Sequence, residues 1–268
     1  ALAPYAALAK QYGNVDELQG GLGKLALLYV NKNGKQRFSG EVKLAALSGK
    51  LSLAGEKHSL QLDGLVRADE NLISVSSLDA EVDGQKLHLE GEADLRDTDA
   101  PSGFGVLSSD ALAYKGYKAE KLRVPFDVSK DVVQLHDVSA QYGGGTITAN
   151  GTYDLKEQVL TADAQLQHVT QNLPGKQQEQ VHINGKLAVL AKLVQDKLTL
   201  HAAADTMDIG WRSLKLKRLA FDGSYDSKGL NIDDLSFFAE GGGTLAAKGR
   251  VAKDGALAVH GRMADFPI

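Results

Sequence analysis

The chain has 268 residues, of which 43% are hydrophobic, 24% charged and only 6% aromatic. That apolar share supports a sizeable core and excludes wholesale disorder. Thirty basic against 34 acidic residues give a formal charge of −4, without the basic stripe that nucleic acid requires, and the absence of cysteine removes disulfide frameworks, thiolate metal sites and thiol nucleophiles together.

Residues 1–12 are alanine-rich and predict a short terminal helix, with Pro4 tolerated in its first turn. This start lacks the charged residues and apolar stretch of a signal peptide, and no initiator methionine is present, so a processed chain or an excised piece is expected. No run approaches the ~18 apolar residues of a membrane-spanning helix.

Beyond the terminus the dominant signal is alternation of apolar and polar residues, the period of a half-buried strand. It is carried by Leu60 and Leu62, then Ile73 and Val75, then Leu87 and Leu89. A loop is expected at 97–110 around Pro101 and Gly103. The alternation resumes at Leu122, Val124 and Phe126, where Pro125 removes a ladder donor and predicts a bulge or an edge. Val133 and Leu135 follow, then Ile147, Ala149 and Tyr153, and a second loop is expected at 170–180 around Pro174-Gly175. Residues 187–194 fit both periods, but the polar turn at 195–197 favours a hairpin. Leu198 and Leu200, Leu214 and Leu216, Phe221, Leu230 and Ile232, Leu245 and Ala247, and Leu257 and Val259 complete the series. Turn signals such as Asn33-Gly34, Asp83-Gly84 and Asp254-Gly255 recur every ~8–12 residues, the spacing of an antiparallel all-β chain.

The pattern repeats. The segment 137–155 overlays 77–95 without a gap, so that Ile147 meets Leu87, Ala149 meets Leu89 and Gly151 meets Gly91. A third copy places Leu245, Ala247, Gly249 and Val251 on Ile147, Ala149, Gly151 and Tyr153, and repeats Gly143-Gly144-Gly145-Thr146 as Gly241-Gly242-Gly243-Thr244. The units lie near 60–96, 120–156 and 217–253 of one continuous β segment. Such a unit cannot bury its apolar face alone, so the units must stack. Gly91, Gly151 and Gly249 occur at one place in each unit, and a strand glycine permits a bulge or bend, so they are expected to bend the sheet. Periodicity alone leaves two outcomes open, a closed sandwich or solenoid and an open trough with one apolar face.

Chemistry is sparse. Seven histidines show no ligand spacing and no HExxH occurs, so no metal or other cofactor is expected. His88 falls opposite Leu87 and Leu89 and is expected in solvent. The two Gly-Gly-Gly-Thr runs lack the lysine and helix of a phosphate loop and read as turns. Asp137 and Asp234 stand where solvated caps before turns are expected, and no Gly-x-Ser-x-Gly elbow is present. The basic runs 115–123 and 215–218 alternate with apolar residues, as the wet face of a strand does. Enzyme activity is not expected.

The repeat, with its spaced glycines, Gly20-Gly21-Leu22-Gly23 near the start and Gly261-Arg262-Met263-Ala264-Asp265-Phe266-Pro267 at the end, resembles the strands of the AsmA-like superfamily, closest to its TamB-type members. The resemblance implies an inner-membrane anchor and an elongated, curled antiparallel groove crossing the bacterial periplasm. It further implies phospholipid acyl chains as cargo, and an outer-membrane partner of the Omp85 class in β-barrel assembly. Under it, Leu87, Leu89, Ile147, Ala149 and Tyr153 line the groove, with Leu245, Ala247 and Val251. Leu122, Val124, Phe126, Leu216 and Phe221 are further candidates. The alternative is an interaction module whose sheet edges pair with client strands. A carbohydrate-active or adhesive solenoid is disfavoured by the unequal repeat offsets.

Overall fold

The computed structural model describes residues 15–32, 35–53, 56–97, 99–114, 116–173, 176–194, 197–211, 214–226 and 228–265. The helix expected over 1–12 and the turns at 33–34 and 174–175 lie outside them. Among the described residues there are sixteen strands and no helix, so the chain is all-β. The long runs of alternating residues, with their supply of Val, Leu, Thr and Ala, suit a pleated ribbon with one apolar face.

The chain forms two compact units, Ala1–Asp131 and Val132–Ile268. The first holds β1 (Val15–Lys32), β2 (Lys35–Leu53), β3 (Glu56–Asp69), β4 (Leu72–Val82), β5 (Gln85–Asp94), β6 (Ser102–Tyr114) and β7 (Tyr117–Ser129). The second holds β8 (Val132–Tyr142), β9 (Gly145–Asp154), β10 (Val159–Leu173), β11 (Lys176–Val194), β12 (Lys197–Trp211), β13 (Leu214–Asp226), β14 (Gly229–Ala239), β15 (Thr244–Ala252) and β16 (Leu257–Ala264). Within each unit every strand pairs antiparallel with its neighbour in the sequence. This is the simplest order, because each tight turn returns the chain to its own edge. Asp83-Gly84 (φ 48° and 81°) and Gly143-Gly144 (φ 56° and 77°) make such turns, both central residues being left-handed as a twist-matched hairpin demands.

Three expectations are corrected. The loop at 97–110 is shorter, because β6 begins at Ser102. Pro101 and Gly103 suggested a break, yet Gly103 lies within the ladder, paired with Ala93 of β5. The loop at 170–180 is likewise strand on both sides, with β10 running to Leu173 and β11 starting at Lys176. Pro125 causes no bulge against β6, where it simply pairs with Val106.

The repeated glycines acquire a structural meaning. Gly91 pairs with Val75 where β4 inserts Ser76 and Ser77 against the single Glu90. Gly151 pairs with Leu135 where β8 inserts His136 and Asp137 against Asn150. Gly249 pairs with Ile232 where β14 inserts Asp233 and Asp234 against Lys248. Each copy thus has a two-against-one bulge in the earlier strand, facing the residue before the glycine, and bulges of this kind sharpen local twist. Asp137 and Asp234 therefore lie inside bulges rather than in caps before turns.

The same plan occurs at Gly64 between β3 and β2 and at Gly185 between β11 and β10, two copies that sequence comparison missed. In three of the five a short side chain completes the bulge. The amides of Ala46, Asp137 and His168, all at positive φ, donate to Oδ1 of Asp63 (2.7 Å), Asn150 (2.7 Å) and Asn184 (2.5 Å). The signal was present as Asp-Gly and Asn-Gly inside strands, pairs that ordinarily mark hairpin turns. An Asn150→Asp variant should keep wild-type stability, because Asp63 already fills the role. Asn150→Leu removes the acceptor and should cost about 1 kcal/mol, measurable by denaturant titration with the Asp variant as control.

Candidate functional site

Directly paired residues share a face of the sheet, so the registers show which side chains lie together. In the first unit one row runs Leu25, Val42, Val66, Val75, Gly91, Gly105, Phe126 and crosses all seven strands. Beside it runs Leu27, Gly40, Ala68, Ile73, Ala93, Gly103, Val128. In the second unit Leu135, Gly151, Ala162, Val189, Ala202, Phe221, Leu235, Ala247 and Gly261 cross all nine strands. A parallel row there runs from Val133 and Tyr153 through Leu160, Ala191 and Leu200 to Gly223, Ile232, Gly249 and Val259. No charged side chain interrupts any of the four. The bulges are essential to this continuity: a two-residue insertion opposite one keeps the alternation in phase on both sides.

All thirteen candidate lining residues fall on the apolar face of their own unit. Leu89 and Val124 flank Leu107, Phe126 pairs with Gly105, Leu87 with Ala80, and Leu122 with Ser109. Ile147 lies between Ala140 and Leu166, and Ala149 between Val138 and Ala164. Leu245 lies between Phe237 and Met263, and Val251 between Leu230 and Leu257.

Burial separates lining from core. Twelve of the thirteen are half-buried, whereas Leu216 is 7% exposed. Leu216 belongs to a small core on β10, β12 and β13 with Val169, Ala202, Ala204 and Met207, the five buried apolar side chains among the described residues. In the first unit no described apolar side chain is buried, and Leu25, Leu27 and Tyr29 of β1 are more than half exposed. A face this continuous and this incompletely covered is unusual for a closed core.

The opposite faces are polar and cross-linked. Arg67 Nε donates to Glu41 at 2.9 Å, with Lys24 nearby, and the hydrogen bond from Arg67 holds the Glu41 carboxyl below its usual range. His58 shares a 2.6 Å hydrogen bond with Asp83, which also accepts from the amide and hydroxyl of Ser59, and these bonds lower the Asp83 carboxyl. Lys217 meets Asp208 and Glu240, and its ammonium is raised chiefly by the Asp208 hydrogen bond. Lys215 and Lys217 of the 215–218 run therefore lie on the wet face of β13, with Leu216 on the other.

His88 occupies the polar face, as its alternation with the leucines required, but it is half-buried rather than free in solvent. Nδ1 lies 2.7 Å from Asp79 and Nε2 3.0 Å from Glu90, and the Asp79 hydrogen bond followed by that of Glu90 raises its pKa. A folded-state pKa above the unfolded ~6.5 means protonation favours the fold. That contribution is complete below ~6.5 and fades as pH rises through the folded value. Proton NMR titration should give a His88 pKa above the ordinary histidine value, and Asp79→Asn should lower it; an unshifted titration would remove the pair.

Among the described residues no cluster could hold a metal ion, and no helix is long and apolar enough to cross a membrane. No protein-family model, curated protein or solved structure matches the chain. The apolar face is thus the feature from which a function must be argued.

Proposed function

We propose that the apolar faces bind lipid acyl chains without acting on them chemically, and that the chain is a segment of a phospholipid carrier of the AsmA-like, TamB type. In this reading the full-length protein is anchored in the bacterial inner membrane, crosses the periplasm and meets an Omp85-class partner at the outer membrane. The observation that carries the proposal is the set of apolar rows that cross every strand of a unit without a charged side chain and whose side chains, outside the small core of the second unit, are incompletely buried. Each methylene removed from water contributes ~0.8 kcal/mol, so seating about ten of them gives roughly 8 kcal/mol before ordering costs. The lining is aliphatic with few rings, a surface that offers no polar hook to fix a chain in place.

Organic extraction and mass spectrometry of protein purified without detergent, paired with native mass spectrometry, tests it. Phospholipid or fatty acid in stoichiometric amount is the expected result, and a lipid-free protein of high melting temperature would favour a closed core. A second reading, pairing of the β16 edge with a client strand, is favoured by Leu257 and Met263, which are 70% and 63% exposed. It predicts that Val259→Pro abolishes binding of barrel-strand peptides whatever the lipid state.

A further inference from the structure

Of the sixteen strands, only β15 and β16 contain no aspartate or glutamate, and the two are paired neighbours in the second unit. In a chain with 34 acidic against 30 basic residues, that is a local reversal of charge. The register gathers their cations on one face. Ala246 pairs with Arg262, Lys248 with His260 and Arg250 with Ala258, three successive pairs on the face opposite Leu245 and Leu257. Same-face positions repeat every ~7 Å along a strand, so the Cα atoms of Lys248, Arg250 and Arg262 fall within about 15 Å. All three side chains are exposed.

Nothing nearby neutralises them. Arg67, Arg96 and Lys217 are each held by a carboxylate, whereas among the described residues Lys248, Arg250 and Arg262 make no ion pair. On β14, Arg250 meets Asn231, and Asp233 accepts from the Asn231 side chain at 2.5 Å within the bulge opposite Lys248. Asp254, in the turn between β15 and β16, accepts from the Ala256 amide at 3.0 Å.

The other face of the same strand is apolar and bare. Leu257 and Met263 are the two most exposed large hydrophobic side chains among the described residues. Among those residues β16 pairs with β15 alone, so its outer edge gives one surface access to both faces. A nucleic acid or an acidic protein would satisfy the cations and leave Leu257 and Met263 in water. A lipid interface presents phosphate and hydrocarbon within ~5–10 Å of each other and so meets both.

We propose that the β15–β16 hairpin docks on an anionic phospholipid surface. Lys248, Arg250 and Arg262 meet the phosphates, and Leu257 and Met263 enter the boundary with the acyl chains. This goes beyond acyl-chain binding by the sheet face and stands on different residues. Because the cations are exposed, the attraction weakens as salt is raised.

The test is sedimentation of the whole chain with vesicles of phosphatidylcholine, alone or mixed with an equal part of phosphatidylglycerol. The mixed vesicles should carry the chain down at low salt and release it at high salt, and the neutral ones should leave it in solution. Combining Lys248→Gln, Arg250→Gln and Arg262→Gln should weaken binding about 100-fold, since each such charge near an anionic surface contributes roughly five-fold. Leu257→Ser with Met263→Ser should weaken it several-fold. Melting temperatures should stay at the wild-type value in both variants, because every altered side chain is exposed.

Equal sedimentation with neutral and anionic vesicles, or undiminished binding in the glutamine variant, would overturn the proposal. So would equal affinity for a short DNA duplex with no effect of the two serines, which would mark a general polyanion site. A chain that is lipid-free after detergent-free purification yet sediments with anionic vesicles would overturn the acyl-chain reading alone. A lipid-loaded chain that fails to sediment would overturn the docking alone.

Discussion

Ile147→Arg is expected to give a folded protein that emerges from detergent-free purification without lipid. Ile147 is half-buried on β9 between Ala140 and Leu166. Its side chain is half-buried rather than sealed in an interior, so an arginine can extend its stem along the face and keep its head in water. The same guanidinium makes the row hostile to an acyl chain, because desolvating an unpaired charge costs several kcal/mol. Leu245→Arg should behave alike, being half-buried on β15. Leu216→Arg is the informative contrast: at 7% exposure it has no route to water and should unfold the second unit. Circular dichroism melts and lipid extraction of the three variants decide the matter. Unfolding of all three would mean a closed core, and a folded Ile147→Arg protein with undiminished lipid would end the assignment of this face.

Gly91→Val is the substitution expected to damage the first unit most. A Cβ at this position would lie 2.4 Å from the Phe104 carbonyl oxygen and 2.9 Å from the Gly105 Cα, both backbone atoms that cannot swing aside. The β5–β6 ladder must therefore open or shift, at about 3 kcal/mol by analogy with overpacked interiors. Strands stacked in sequence make mainly neighbour contacts, so the loss should be local. Hydrogen exchange should show lost amide protection in β5 and β6 with little change in β10–β13. Gly249 is subject to the same crowding, its Cβ falling 2.2 Å from the Ala258 carbonyl oxygen, and adds a φ of 157° that L side chains rarely adopt. A protected, unshifted β5–β6 pair in Gly91→Val would show that the glycine is dispensable.

Much of this was legible in the residues. Alternation at Leu87 and Leu89, or at Leu245 and Ala247, sets both strand type and face, because the side-chain period of a strand is two and the period survives any register. The equivalence of Gly91, Gly151 and Gly249 was legible for the same reason: one local geometry recurs wherever the spacing recurs. The two further copies at Gly64 and Gly185 were not, because Asp63-Gly64 and Asn184-Gly185 carry the composition of turns. Only pairing with Ala46 and His168 in another strand reveals them as the closing half of a bulge. The misplaced loop over β6 has a related cause, since Pro101 and Gly103 look like a break until the close approach of β5 explains the glycine.

By itself, then, the sequence determined an all-β chain with a one-sided apolar stripe and bulge-forming glycines, all properties of a strand and its immediate neighbours. The tertiary structure decided which stripes join, that they join without a charged interruption, and that Leu216 is core while Ile147 is not. Register and exposure depend on residues far apart in the chain, and no local period encodes them.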